Sequence, residues 1–561
     1  MKNWGMAINR VVADSLIGRR FRLENSGHRH ERKGSRFLTE VRAGLTTFFA
    51  MAYIISVNSN ILTQSGGTCI CSDQENPTCA GNTEYELCLN ALRRDFITGT
   101  AAIAALSSFC MGLFANMPIA LAPGMGLNAY FTYNVVGFRG TGPVPYRLAL
   151  TAVFIEGFVF VGLSVCGMRQ WLARAIPRSI KLASGAGIGL YLSLIGLTYS
   201  AGIGAITGDQ ATPLSLAGCV ESEMIDGVCP SGAKMRNPTF WVGLFCGGVF
   251  TCLLLMYRVK GAIIAGILLV SIISWPRPTN VTFFPHNPQG DDSFDFFKKV
   301  VTFHPIRKTL AAQDWNLGSA GGQFGLAFIT FLTSKDQPSP IWWMHLASPI
   351  GSLLGLSPVT AFVESGAGIA EGGATGITAM VTGLCFFVSI FFAPIFASIP
   401  PWATGCTLVL VGSMMTKVAS DINWSYIGDA VPAFVTLAVM PFTYSIAYGL
   451  IAGIMSYILL NTVAFVLEKV SGGRLVPHNK DLKEPWSWRI PGGILPGWLV
   501  RLAHGKKDFW RKDVLDRDDQ DYSLATSAQT ADAGGYACTG DKSAVAIAAS
   551  TSDGGDAHKE K

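Results

Sequence analysis

The run Ala122-Pro-Gly-Met-Gly-Leu-Asn-Ala-Tyr130 sets one carboxamide, Asn128, just after Pro123, Gly124 and Gly126, in otherwise apolar surroundings. A second run, Leu356-Ser-Pro-Val-Thr-Ala-Phe-Val-Glu-Ser-Gly-Ala-Gly-Ile369, does the same for an acid: Glu364 lies among Pro358, Ser365, Gly366 and Gly368. A carboxamide offers both a donor and an acceptor, and a carboxylate accepts from N–H groups and can take up a proton. Backbone amides freed near Gly124 and Gly126, and near Gly366 and Gly368, could donate to ring carbonyls, so the set suits a heterocycle with amide-like edges. Proline and glycine weaken the helical hydrogen-bond ladder, and open backbone at membrane depth is tolerated only around a polar cavity. Two discontinuous helices are therefore expected. Tight loops at the membrane surface are the competing reading of the same residues.

The elements that must position these groups are membrane spans. Half of the 561 residues are apolar and only 14% are charged. The apolar runs 239–257, 261–275 and 376–399 are long enough to cross the hydrocarbon, and 430–467 is long enough to cross twice, at about 20 residues per helix. The composition predicts an all-α polytopic membrane protein, with a transporter domain over 43–470, a basic N-terminus over 1–42 and a C-terminal tail over 471–561. That tail, rich in Ala, Ser, Thr and Gly, has too little apolar content for a core and is expected to be mostly disordered. Two broken helices in matching positions of two halves point to an inverted-repeat transporter with its site at the midplane.

Ten Lys and Arg precede Gly44 against four acids, with no short apolar core or cleavage site, so this end is read as cytoplasmic rather than as a signal peptide. The basic residues Arg169, Arg174, Arg178, Lys181, Arg258 and Lys260 are placed on the same side, which puts 64–95 and 207–237 outside. Those two polar segments hold Cys69, Cys71, Cys79 and Cys88, and Cys219 and Cys229. Disulfides are the favoured reading in an oxidising space, with three pairings open in the first segment. A metal site there is disfavoured, because neither segment contains a histidine. Asn280-Val-Thr282 is a glycosylation sequon on the same side. No nucleotide-binding loop, histidine-based metal cluster or nucleophile–base pair is found, so an enzyme is not expected; no cofactor is implied, and an ion gradient is the expected driving force.

At these residues the chain resembles a known family. The stretches Leu23-Glu-Asn-Ser-Gly27, Arg42-Ala-Gly-Leu-Thr-Thr-Phe-Phe-Ala-Met-Ala-Tyr53, 120–130, 357–368 and Met440-Pro-Phe-Thr-Tyr-Ser-Ile446 resemble, in order, the AzgA-like purine permeases of fungi, a branch of the nucleobase–cation symporters. The resemblance implies a 7+7 inverted-repeat fold with about 14 transmembrane segments, about 20 residues each, and a core domain that moves against a gate domain. Repeat one would run over about 43–278 and repeat two over about 322–467. It implies proton-coupled uptake of hypoxanthine, adenine and guanine at the plasma membrane, with both termini cytoplasmic. Asn128 takes the family's third-span Asn position and Glu364 its tenth-span Glu position, with Gly124, Gly126, Ser365 and Gly366 around them. Purine nucleobases, protons and the lipid bilayer are the implied partners; nucleic acid is not, and a homodimer is compatible with the reading.

One region departs from that pattern. Only 35 residues separate Gly322 from Ser357, whereas two spans need about 40 before any turn. After Ala327-Phe-Ile-Thr-Phe-Leu332 the acidic continuation of the family is replaced by Thr333-Ser-Lys-Asp-Gln-Pro-Ser-Pro340, which cannot extend a helix comfortably through lipid. The family's eighth-span acid thus has no secure counterpart, and Asp336 is at most a displaced stand-in for proton coupling. An active purine symporter, a non-transporting or truncated member lacking that acid, and an anion transporter of the related sulfate-permease architecture all remain open, although Glu364 argues against an anionic substrate.

Overall fold

The computed structural model describes residues 2–483 except 30, 72–78, 80–81, 166–175, 199–201, 209–213, 221–222, 225–227, 231, 260, 317–341 and 363. Asp336 and the Pro-containing run 333–340 lie outside the described residues, as do Arg169, Arg174, Lys260, Cys166, Cys538 and the tail from 484.

Helices dominate. Among the described residues, seven are long and apolar enough to cross a membrane. They include α1 (Phe37–Thr63), α2 (Thr83–Ala115), α4 (Tyr146–Val165), α5 (Arg178–Leu197), α6 (Pro238–Met256) and α13 (Ile446–Val470). The seventh begins with α11 (Pro401–Thr416). Shorter apolar helices are α7 (Ala262–Ser274), α10 (Gly376–Ser389) and α12 (Ile427–Phe442); α8 (Trp342–Leu353) precedes the second interruption. Along α13, Ile451, Met455, Leu459, Val463 and Val466 form one exposed apolar stripe at helical spacing, the surface a lipid-facing helix requires.

The two broken runs are strand–helix segments. Strand β1 (Leu121–Pro123) leads into α3 (Met125–Tyr130), and β2 (Val359–Ala361) leads into α9 (Ser365–Ala370). The helix before one break packs on the helix after the other, both ways round: α2 lies along α10, and α8 lies along α4. The next helices, α5 and α11, pack on each other through Gly189 against Gly412 and Gly196 against Gly405, where any Cβ would collide with the facing carbonyl. A contact that repeats with its partners exchanged is what an inverted repeat produces, and the fold is of the 7+7 type. Two packing groups follow: α1, α2, α3, α4, α8, α9 and α10 make the core, while α5, α6, α7, α11, α12 and α13 make the gate.

One boundary differs from the sequence reading. The polar stretch expected as loop through Asp95 is helical from Thr83, because Asn82 caps it by accepting from the N–H of Glu84 and Tyr85. Asp95 is consequently a buried anchor, accepting from the N–H of Arg307 at 3.0 Å and Lys308 at 2.6 Å. The cysteines pair as Cys69–Cys88, Cys71–Cys79 and Cys219–Cys229, so the first bond ties the loop to the first turns of α2.

Candidate functional site

The two half-helices meet through their strands. β1 and β2 pair antiparallel with Leu121 opposite Ala361, Ala122 opposite Thr360 and Pro123 opposite Val359. Outside the register, the Gly124 N–H donates to the Pro358 carbonyl at 3.1 Å and the Phe362 N–H to the Ala120 carbonyl at 3.2 Å. Ser365 is buried, and its hydroxyl accepts from the Ala120 N–H at 3.0 Å. Ser108 of α2 accepts from the Leu121 N–H at 2.9 Å and donates back to its carbonyl at 3.0 Å. Backbone opened at membrane depth is thereby satisfied by the protein itself, as hydrocarbon surroundings demand.

These bonds bear on two of the expected ligand contacts. The Gly124 N–H is taken up in the strand crossing, and the Ser365 oxygen accepts there, although a hydroxyl also has a proton to donate. Gly124 is needed there for space, since a Cβ would stand 2.7 Å from the Thr360 hydroxyl. Gly126 serves another approach: a Cβ would come within 3.0 Å of Ile188 on α5 and 3.2 Å of Ile446 on α13, so the bare backbone lets α3 close on the gate. Gly366 is half-buried in the first turn of α9, and Gly368 packs against α1, where a Cβ would lie 2.7 Å from the Ala43 carbonyl.

Asn128 and Glu364 are both held by α1, which breaks at Ala52 and Tyr53 between its two helical segments. The Tyr53 hydroxyl donates to Glu364 Oε1 at 2.5 Å. Five residues on, about 7.5 Å along the helix, Asn58 takes the Asn128 amide: Asn128 Nδ2 donates to Asn58 Oδ1 at 2.6 Å and reaches the Asn58 backbone carbonyl at 3.5 Å. Asn128 is fully buried, and its Oδ1 has no hydrogen-bond partner among the described residues. Its donor side is therefore committed, which narrows the expectation that it offers both donor and acceptor. Glu364 is partly exposed at the start of α9. The reading of the sequence passed over Tyr53 and Asn58; the available signal was the polar run Ser56, Asn58, Ser59 and Asn60, which is buried inside an otherwise apolar span. On the gate side of α3, Tyr133 and Tyr191 both meet the Tyr444 ring edge-on.

A family model described as a permease family matches residues 38–275 and 345–452, and so takes in both half-helices and α1. The chain belongs to this permease family. An Aspergillus versicolor protein named as the efflux pump notK' is 62% identical over 539 residues, 91% of this chain and 93% of its own. A Schizosaccharomyces pombe protein, provisionally named a xanthine/uracil permease, is 54% identical over 556 residues, 94% of this chain and 88% of its own. The guanine/hypoxanthine permease PbuO of Bacillus subtilis is 31% identical over 439 residues, 74% of this chain and 90% of its own. This permease is a multi-pass membrane transporter and not an enzyme. The stretch 276–344, which includes the run 333–340, lies between the two matched blocks.

Proposed function

We propose that this permease moves purine nucleobases, of the hypoxanthine, adenine and guanine type, across the plasma membrane by alternating access, with a proton gradient as driving force. The observation that carries the reading is the pair of half-helices crossing at β1 and β2, with a buried unpaired acceptor on one and an acid on the other, both braced by α1. In this reading Asn128 binds the base, Glu364 binds it and exchanges the coupling proton, and Gly366 leaves backbone at the same edge. The purine ring would sit between the core and the gate. Both termini would be cytoplasmic, and Asp336, at most a displaced stand-in for the family's eighth-span acid, is a second coupling candidate. The named guanine/hypoxanthine relative supports the substrate class.

Direction is a separate matter, because the Aspergillus versicolor relative carries the name of an efflux pump. A carrier that alternates runs down whichever gradient it is given. The chain, expressed in cells lacking their own purine uptake, should therefore accumulate radiolabelled hypoxanthine from acidic medium. It should also release it from preloaded cells when the gradient is reversed. Release without accumulation favours the efflux reading, competition by sulfate but not by purines favours an anion carrier, and neither flux at normal surface abundance favours a non-transporting member.

A further inference from the structure

Asn58 determines more than the place of Asn128. Its own Nδ2 donates to the Pro123 carbonyl, at 3.4 Å. A backbone carbonyl only accepts, so the NH2 of Asn58 must point there and its Oδ1 must point at Asn128. The Asn128 amide is oriented twice over, by that Oδ1 and by the Asn58 backbone carbonyl, and both positions call for its NH2. What remains is Asn128 Oδ1, fully buried and unpartnered among the described residues. A buried acceptor left unmade is costly, and a bound N–H would satisfy it, whereas a ring carbonyl at the same point would meet oxygen with oxygen.

We infer that Asn58 is a positioning residue that fixes the Asn128 amide as an acceptor, so that the permease selects substrates presenting a ring or exocyclic N–H at that edge. The inference rests on the purine reading and deepens it. A site built to take an N–H discriminates against an analogue lacking it far better than a site built on shape alone. Tyr53 plays no part in this step, since its hydroxyl is turned to Glu364.

The test uses the full chain in cells without their own purine uptake, with surface abundance measured alongside. Hypoxanthine and its N1-, N7- and N9-methyl analogues, each lacking one N–H, are compared as competitors. The unaltered chain should reject at least about tenfold more strongly either the N1-methyl analogue or both the N7- and N9-methyl analogues, which lack the same imidazole N–H. Asn58→Leu frees the Asn128 amide to turn; KM for hypoxanthine should rise about tenfold with the maximal rate kept, and the preference among the three analogues should fall to about twofold or less. Asn58→Asp still accepts from Asn128 Nδ2 and should restore the original preference. Should the Leu variant be retained inside the cell, the smaller Asn58→Ser carries the same comparison. The inference is overturned if the Leu or Ser variant reaches the surface and keeps the unaltered order of analogues, or raises every constant equally. If the unaltered chain neither transports hypoxanthine nor melts higher in its presence after purification, the purine reading itself fails first.

Discussion

Asn128 lies within the first half-helix and Glu364 at the start of the second, and they are held in different ways. Asn128 is fully buried and turns its amide NH2 to Asn58 of α1, while Glu364 is partly exposed and accepts from the Tyr53 hydroxyl. A locked neutral amide can read a hydrogen-bond pattern but cannot change charge. A carboxylate with spare lone pairs and some access can exchange a proton without rearranging its neighbours. Under the proposed function the two repeats would divide two tasks, recognition on the first and coupling on the second.

The comparison breaks most visibly at Glu364. Glu364→Gln keeps the size and removes the charge, and a hydrogen bond to a charged group is worth about 1.5–3 kcal/mol. Uptake at low substrate should fall about 10- to 100-fold, and its dependence on external pH should flatten. Uptake that keeps a normal pH profile in this variant would move the coupling role elsewhere, with Asp336 next in line.

Gly368→Ala attacks the frame of the same half-helix. Its methyl would face the Ala43 carbonyl at 2.7 Å, and backbone has nowhere to go, so α9 must part from α1. The variant should reach the surface several-fold less and, purified, should melt lower, by roughly the 1–3 kcal/mol typical of overpacking. Wild-type melting would show that the two helices are not in that register.

Asn128→Ala comes next. It leaves Asn58 Oδ1 without its donor and the substrate without its acceptor, so KM should rise about tenfold while the pH profile stays as it was. A flattened profile here would erase the division of labour between the two residues. Tyr53→Phe should act more weakly, because it removes one neutral donor worth about 0.5–1.5 kcal/mol. It should displace the pH midpoint of uptake without flattening the profile, with at most a few-fold loss of rate. An unchanged midpoint would mean that the Tyr53 bond is not made in the state that exchanges protons.

Part of this arrangement was legible from residue order alone. Pro123, Gly124 and Gly126, and Pro358, Gly366 and Gly368, interrupt apolar sequence as discontinuous helices do, and Asn128 and Glu364 fall just after the breaks, although the strands themselves were not foreseen. The partners were not legible. Tyr53 reaches a residue 311 positions away and Asn58 one 70 positions away, and no local periodicity encodes such pairings. Nor could sequence tell that the Ser365 oxygen and the Gly124 N–H help to join the repeats, since that depends on the crossing of β1 and β2. Asp95 closed the polar segment 64–95 in the sequence reading for a similar reason: the N–H groups of Arg307 and Lys308, which offset the desolvation that lets it sit inside, lie 212 and 213 positions away.

The smallest effect is expected where the first half-helix meets the gate. Gly126 and Gly368 are both close-approach glycines, but their neighbours differ in kind: Gly368 faces a carbonyl of the core, while Gly126 faces the methyl ends of Ile188 and Ile446. Side-chain ends at 3.0 and 3.2 Å can turn aside by a few tenths of an ångström, so Gly126→Ala should fold and reach the surface normally. It should leave KM and the order of purines intact, because Asn128 points the other way, toward α1. What it does change is the surface between the core and α5 and α13, along which the proposed alternating access would move, so the maximal rate should fall by about twofold or less, with the loss largest at low temperature, where repacking of the interface is slowest. A shift in KM instead, at unchanged maximal rate, would place Gly126 in contact with the substrate and make the gate-facing side of α3 part of the binding surface.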